Sequence, residues 1–286
     1  MRVGRIPYIN CYPVYGAIDR GVISLDAELV DGVPTVLNRE MAAGTLDASV
    51  ISAVEYARDA RRYLLLPDLS ICSDGPVRSV VLFSKRPASE LQGRRVLVSK
   101  SSMTSVALVE LLFENVWDAK PTFVPANAEL SDVAQFGEEE HDARLVIGDA
   151  ALHLWSRLRS PEHSATGAGV AGYRYAYDLG AEWKSWTGLP FVFAVWVAQR
   201  TTPVADSLAV HAKLMASRDW GLAHLETLAA QAAIATGVER AVCLEYLSGL
   251  DYGLSYQHLA GLTEFFRRLV AVGKVPNGSL AFLPAA

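Results

Sequence analysis

The chain has 286 residues, 51% of them apolar and 20% charged, enough for two domains with separate cores. Lys and Arg number 26 against 31 Asp and Glu, a formal net charge of -5, and no basic stripe interleaved with aromatics occurs, which argues against a nucleic-acid partner. No run approaches the roughly 18 apolar residues of a membrane span. The first residues enter a strand with no basic segment and apolar stretch before it. Three cysteines without a CxxC pair (Cys11, Cys72, Cys243) indicate neither a disulfide framework nor a zinc site. These features predict a cytoplasmic protein without a membrane anchor.

The spacing predicts a strand over 3–6 that runs into the turn Pro7-Tyr8-Ile9-Asn10-Cys11-Tyr12. Pro13 then offers a pre-set φ at the first turn of a helix, where its missing N–H costs nothing. A second strand is expected over 27–30, a helix from Pro34 to Gly44, and a strand over 47–52. The next helix follows directly, with Ser52 at its N-cap and Glu55 three residues later, the spacing of a capping box. A short strand over 64–66 precedes a loop over 68–76. A longer strand is expected over 75–84, and a second series follows: strand 95–99, helix 103–115, strand 122–124 stopped by Pro125, strand 143–147 and helix 150–157. Another long apolar strand covers 190–198, and the chain beyond Pro203 reads as helix. Two long strands bracketing a middle block predict an α/β protein of two lobes. One lobe is built from 1–87 and 191–286, the other from 88–190 inserted into it.

Several strand-to-helix junctions repeat one chemistry. Ser52-Ala53, Ser99-Lys100-Ser101-Ser102-Met103-Thr104-Ser105 and Gly148-Asp149-Ala150 each put hydroxyl, small or acidic groups at a helix start. Such junctions lie at the carboxyl ends of strands, where N–H groups and the positive end of a helix dipole face a ligand. Plain capping accounts for any one of them, but their recurrence in both halves points to a cleft for a small carboxylate, with Arg78 beside Ser79 available to complete it. Gly167-Ala168-Gly169-Val170-Ala171-Gly172 matches GxGxxG by letters but follows no strand, so a loop is expected over 160–172 rather than a dinucleotide site. The six histidines show no metal-ligand spacing.

The stretches Tyr8-Ile9-Asn10-Cys11-Tyr12-Pro13, Asp47-Ala48-Ser49-Val50-Ile51-Ser52, Gly75-Pro76-Val77-Arg78-Ser79-Val80-Val81-Leu82 and Ile147-Gly148-Asp149-Ala150-Ala151-Leu152 together resemble the chorismate dehydratases of the futalosine route to menaquinone. The resemblance covers nearly the whole chain. It implies a two-lobed fold like the type II periplasmic binding proteins, each lobe a mostly parallel sheet flanked by helices. It also implies loss of water from chorismate to give 3-[(1-carboxyvinyl)oxy]benzoate, with no cofactor. The sister enzyme that makes 1,4-dihydroxy-6-naphthoate shares the fold, but there Asn is followed by Asp and Thr, whereas Cys11-Tyr12-Pro13 follows here. A non-catalytic solute-binding protein of the same architecture is the alternative from another class.

On this reading the ligand lies between the lobes. Asn10, Ser79 and Asp149 are the candidate catalytic residues. Tyr8, Cys11, Tyr12, Ser52, Arg78, Ser101, Ser102, Thr104, Ser105 and Gly148 are the candidate substrate contacts. Asp149 is the best-placed carboxylate for a base, yet its helix start favours the charged form and lowers its basicity. Glu55 is expected to be taken up by its own cap. The substrate's enolpyruvyl carboxylate, held by Asn10 and Ser79, is therefore favoured over Asp149 as the base.

Overall fold

The structure is a computed structural model and describes residues 1–136, 139–159 and 172–284. The expected loop over 160–172, with most of its glycine motif and His163, lies outside the described residues apart from Gly172.

Two five-stranded sheets organise the chain. The first has the order β2 (Glu28–Asp31), β1 (Arg2–Arg5), β3 (Ala48–Ser52), β10 (Phe191–Gln199), β4 (Tyr63–Ser73). The second has the order β7 (Thr122–Ala126), β6 (Arg95–Ser99), β8 (Ala143–Ile147), β5 (Val80–Ser84), β9 (Tyr175–Asp178). The plan is the same in both. Three parallel strands are followed by one that is antiparallel to both of its neighbours. Each antiparallel strand arrives from the other lobe: β5 directly follows β4, and β10 returns after β9.

This pairing shifts one expected boundary. Val80–Ser84, assigned from sequence to the first lobe, pairs with β8 and β9 in the second sheet. The strand is buried along its whole length, so its apolar pattern fits the centre of either sheet equally well. The crossing therefore comes earlier, between Ser73 and Val80. Asp178 fixes it. Its carboxylate accepts the N–H groups of Val77 (3.0 Å) and Arg78 (2.6 Å) while also capping the next helix through Gly180 and Ala181.

The helices follow from local signals. α1 (Tyr12–Asp19) carries Pro13 in its first turn, and α2 (Pro34–Ala43) starts on Pro34 and ends at Gly44 in the left-handed region. α3 (Ala53–Arg58) has Ser52 as N-cap, accepting the Glu55 N–H at 3.3 Å. The reciprocal half of that capping box is absent, because the Glu55 carboxylate turns inward to accept the Tyr63 hydroxyl at 3.2 Å. α4 (Thr104–Asn115) and α5 (Gly148–Leu158) start the second lobe's crossovers, and α6 (Leu179–Thr187) leads back to β10. Four helices close the chain: α7 (Val204–Ala223), α8 (Leu225–Thr236), α9 (Arg240–Gly249) and α10 (Tyr256–Ala271). α7 lies against α1 so closely that a Cβ on Gly221 would sit 2.1 Å from the Pro13 carbonyl oxygen.

Three expectations are corrected in detail. The predicted loop over 68–76 is mostly strand, since β4 continues to Ser73 through a bulge at Pro67 and Asp68, tolerated on an edge strand. β7 runs past Pro125 to Ala126 for the same reason. The strand β9 and helix α6 lie in a stretch where no element is expected. Among the described residues no helix is long and apolar enough to cross a membrane.

The opening unit is tied into the first core by a buried relay. Trp196 of β10 donates its indole N–H to the Tyr15 hydroxyl (3.0 Å), which donates to the Gly4 carbonyl (3.2 Å). The turn over 6–12 is thereby held at the carboxyl end of β1.

Candidate active site between the lobes

The carboxyl ends of β1, β3 and β8, with the turn that follows β6, converge on a narrow cleft with about 60 Å³ of free space. From the first lobe it is lined by Ile6, Tyr8, Asn10, Ser52, Ile71 and Phe193. The crossing segment supplies Val77 and Ser79, and the second lobe Ser102, Thr104, Ser105, Ile147 and Gly148. Among the described residues, none that lines it is charged. A roomier depression of about 350 Å³ lies between α3, α10 and residues 276–280, but it is built without the second lobe or any strand end.

The hydroxyls of the cleft share one arrangement. Ser79 Oγ accepts from the buried Tyr246 hydroxyl at 2.8 Å. Ser52 Oγ accepts from Asn38 Nδ2 at 2.8 Å as well as from the Glu55 N–H. Ser102 Oγ accepts the Ser105 N–H at 3.1 Å, and Thr104 Oγ1 accepts the Val54 N–H across the lobes at 3.2 Å. A hydroxyl has one proton and two lone pairs. With a lone pair of each engaged by the protein, all four keep an O–H to offer the cleft, and Ser52, which accepts two bonds, can only donate. Asn10 adds an acceptor: its Oδ1 is buried and has no hydrogen-bond partner among the described residues. A buried polar atom left unpaired costs about 1–3 kcal/mol, so this amide is held ready for a ligand group.

The remaining candidates stand around the cleft rather than in its lining. Asp149 Oδ1 accepts the Ile9 N–H at 3.1 Å, joining α5 to the opening turn. The sequence expectation that its helix start keeps it readily ionised is reversed. Burial pushes its carboxyl up to about 7, the nearby Glu129 charge adds to this, and the Ile9 N–H only partly opposes it. A folded-state pKa above the ordinary 3.8 means that the folded protein holds this proton more tightly. The associated stability is complete below pH ~4 and is lost as pH rises through 7. Ser101 donates to Glu129 Oε1 at 2.5 Å. Cys11 is buried behind the turn, and burial pushes its thiol up. Tyr12 is half-buried at the start of α1.

Arg78 is placed elsewhere. Its backbone is left-handed (φ 61°), and its guanidinium faces α9, bonded to the Glu245 carboxylate at 2.6 Å and the Glu245 carbonyl at 3.2 Å. The carboxylate partner expected of it is thus supplied by the protein. Gly148 (φ 62°) lies under the Tyr8 ring, and a Cβ there would come within 3.0 Å of it. Sequence reasoning missed Asn38, Glu129, Asp178 and Tyr246, each of which grips a cleft residue or a strand crossing from a distant part of the chain. Among the described residues no group of three or more His, Cys, Asp or Glu side chains could hold a metal ion.

The profile of the menaquinone biosynthesis family matches residues 1–271. The chain belongs to that family. A relative in Thermus thermophilus, named chorismate dehydratase, is 33% identical over 244 residues, covering 84% of this chain and 86% of that one. Among solved structures, a protein from Archaeoglobus fulgidus has a TM-score of 0.71 at 19% identity, covering 96% of this chain and 98% of its own. The alkanesulfonate-binding protein of Xanthomonas axonopodis pv. citri has a TM-score of 0.66 at 16% identity, covering 98% and 96%. The family member described here thus has the two-lobed fold of periplasmic binding proteins.

Proposed function

We propose that this chain is a chorismate dehydratase of menaquinone biosynthesis, on the futalosine route, eliminating water from chorismate to give 3-[(1-carboxyvinyl)oxy]benzoate. The observation that carries the reading is a cleft whose described lining is uncharged, with four hydroxyls that can donate and one buried amide oxygen that can accept. Chorismate brings two carboxylates, which the O–H groups meet with oriented dipoles rather than with cations, and a ring hydroxyl, from which the Asn10 oxygen can accept a hydrogen bond. The three free, buried cysteines suit a reducing compartment, and we place the enzyme in the cytoplasm.

The reaction removes the proton from the ring carbon bearing the enolpyruvyl ether and expels hydroxide from its neighbour. The carbanion formed is conjugated through the diene to the ring carboxylate. Hydroxyl donors on that carboxylate stabilise the charge as it develops, the largest kind of contribution such a site can make. Loss of hydroxide then makes the ring aromatic, and the abstracted proton leaves with it as water. Among the described residues no carboxylate or imidazole lines the cleft, which favours as the base the substrate's own enolpyruvyl carboxylate, folded back over the carbon to which its ether is attached. The Ser79 O–H and the Asn10 Nδ2–H hold it there, and Asn10 Oδ1 is left for the ring hydroxyl. Incubation with chorismate should produce a benzoate-type absorbance. Tight binding of chorismate without turnover would identify a solute-binding protein instead.

Asp149→Asn separates the two possible bases. Turnover at saturating chorismate is expected to stay within about threefold of the parent protein, because the amide can still accept the Ile9 N–H. In the parent, KM is expected to rise above pH 7 as Asp149 ionises close to a dianionic substrate. In the variant that rise disappears. Loss of nearly all turnover with binding intact would make Asp149 the base.

A further inference from the structure

We propose that Glu129 is a positioning residue that latches the closed cleft and, by holding Tyr8, sets the placement of Asn10. Glu129 belongs to the second lobe, just after β7, and is the N-cap of a 3-10 segment over Leu130–Gln135. Its carboxylate accepts the Tyr8 hydroxyl from the first lobe at 2.8 Å and the Ser101 hydroxyl from its own lobe at 2.5 Å. Its backbone is fixed as well, with Glu129 N–H donating to the Asp132 carboxylate at 3.0 Å and Asp132 N–H donating to the Glu129 carbonyl at 2.9 Å. A fixed backbone and two donors leave this side chain little freedom. Hydrogen bonds to a carboxylate are about twice as strong as neutral ones.

The place of the bond matters more than its strength. Tyr8 and Ile9 donate two of the cross-lobe bonds, to Glu129 and Asp149, and they immediately precede Asn10. The 3-10 turn that carries Asn10 begins there, closed by Cys11 N–H on the Tyr8 carbonyl at 3.0 Å. Free space of about 60 Å³ is far below the ~300 Å³ or more of small-molecule sites. A ring with two carboxylates is therefore admitted only when the lobes part, and the Tyr8–Glu129 bond must break and re-form in each cycle. Closure and the alignment of Asn10 are then one event. Glu129 acts on the reaction through Tyr8, without lining the cleft itself.

The test compares Tyr8→Phe, Glu129→Ala and the double variant by kinetics with chorismate and by small-angle scattering of the ligand-free protein. Each single variant is expected to lower kcat/KM about 10- to 100-fold, the worth of a hydrogen bond to a charged group. The double variant should be no worse than the poorer single one, because all three break the same bridge. The radius of gyration should increase in each variant, with the melting temperature of Tyr8→Phe close to the parent value. Additive kinetic losses, or an unchanged radius of gyration in all variants, overturn the latch. The kinetic arm rests on chorismate being the substrate, whereas the scattering arm uses no ligand. Absence of turnover in the parent protein therefore fails the proposed reaction and leaves scattering to decide the latch. If Glu129→Ala does not fold, Tyr8→Phe, which removes a single hydroxyl, decides it.

Discussion

Asn10→Ala is expected to lower kcat on chorismate by about 10²–10³-fold, the loss seen when one preorganised polar group is removed from a reacting centre. The same change should leave the ligand-free protein equally stable, or more stable by up to ~1 kcal/mol. Asn10 Oδ1 is buried without a partner among the described residues, so the folded state already bears the cost of drying it. Removing the amide removes that cost, offset by the small void it leaves. Activity and stability thus move independently or in opposite directions, which a purely structural residue does not do. A fall in melting temperature with turnover retained would assign Asn10 to the fold and empty the site of its central group.

The largest stability loss is expected at Asp178. Its Oδ1 accepts three backbone N–H groups, from Val77, Gly180 and Ala181, and its Oδ2 accepts that of Arg78. In Asp178→Ala all four lose this acceptor in a buried place, and α6 loses its cap. A cost of about 3–5 kcal/mol follows from one lost cap and two or more unsatisfied donors. Asp178→Asn keeps an oxygen for the three donors on Oδ1 and forfeits only Arg78, so its loss should be less than half as large. Urea denaturation of both variants measures the difference. Equal losses would mean that charge, rather than acceptor geometry, is what the crossing needs.

Much of the site was legible because its signals are local. Proline in a first turn, a hydroxyl before a helix and a strand ending on Ser, Gly or Asp are statements about a few consecutive residues. Those signals placed Asn10, Ser52, Ser102, Thr104 and Gly148 in the cleft. Asn38, Glu129 and Tyr246 were invisible for the opposite reason. Tyr246 is 167 positions from Ser79, and Glu129 is 121 from Tyr8. Nothing beside an ordinary surface-type Glu in sequence marks it as a bridge. Asp149 was read from its helix start alone, and burial against the opposing lobe, which no local pattern contains, outweighed the dipole. Arg78 was assigned to the ligand by its neighbour Ser79, yet a left-handed backbone at that position turns its side chain towards α9. The strand Val80–Ser84 was found, but its sheet was not, because an all-apolar strand does not say which neighbours it will pair with.

The exchange of antiparallel strands sets an order on biosynthesis. β3 and β4 are both made within the first 73 residues, yet they touch in the first sheet only through β10, which begins at Phe191. While the ribosome makes residues 74–190, the first lobe waits with an open slot between two finished strands. The second lobe has no such gap, since all five of its strands lie between Val80 and Asp178. The inserted lobe can therefore complete its sheet before the lobe that precedes it in the chain, reversing the usual N-terminal-first sequence of domain folding. A nascent chain halted near residue 185 would expose both edges of that slot, and these are the surfaces a chaperone would meet first.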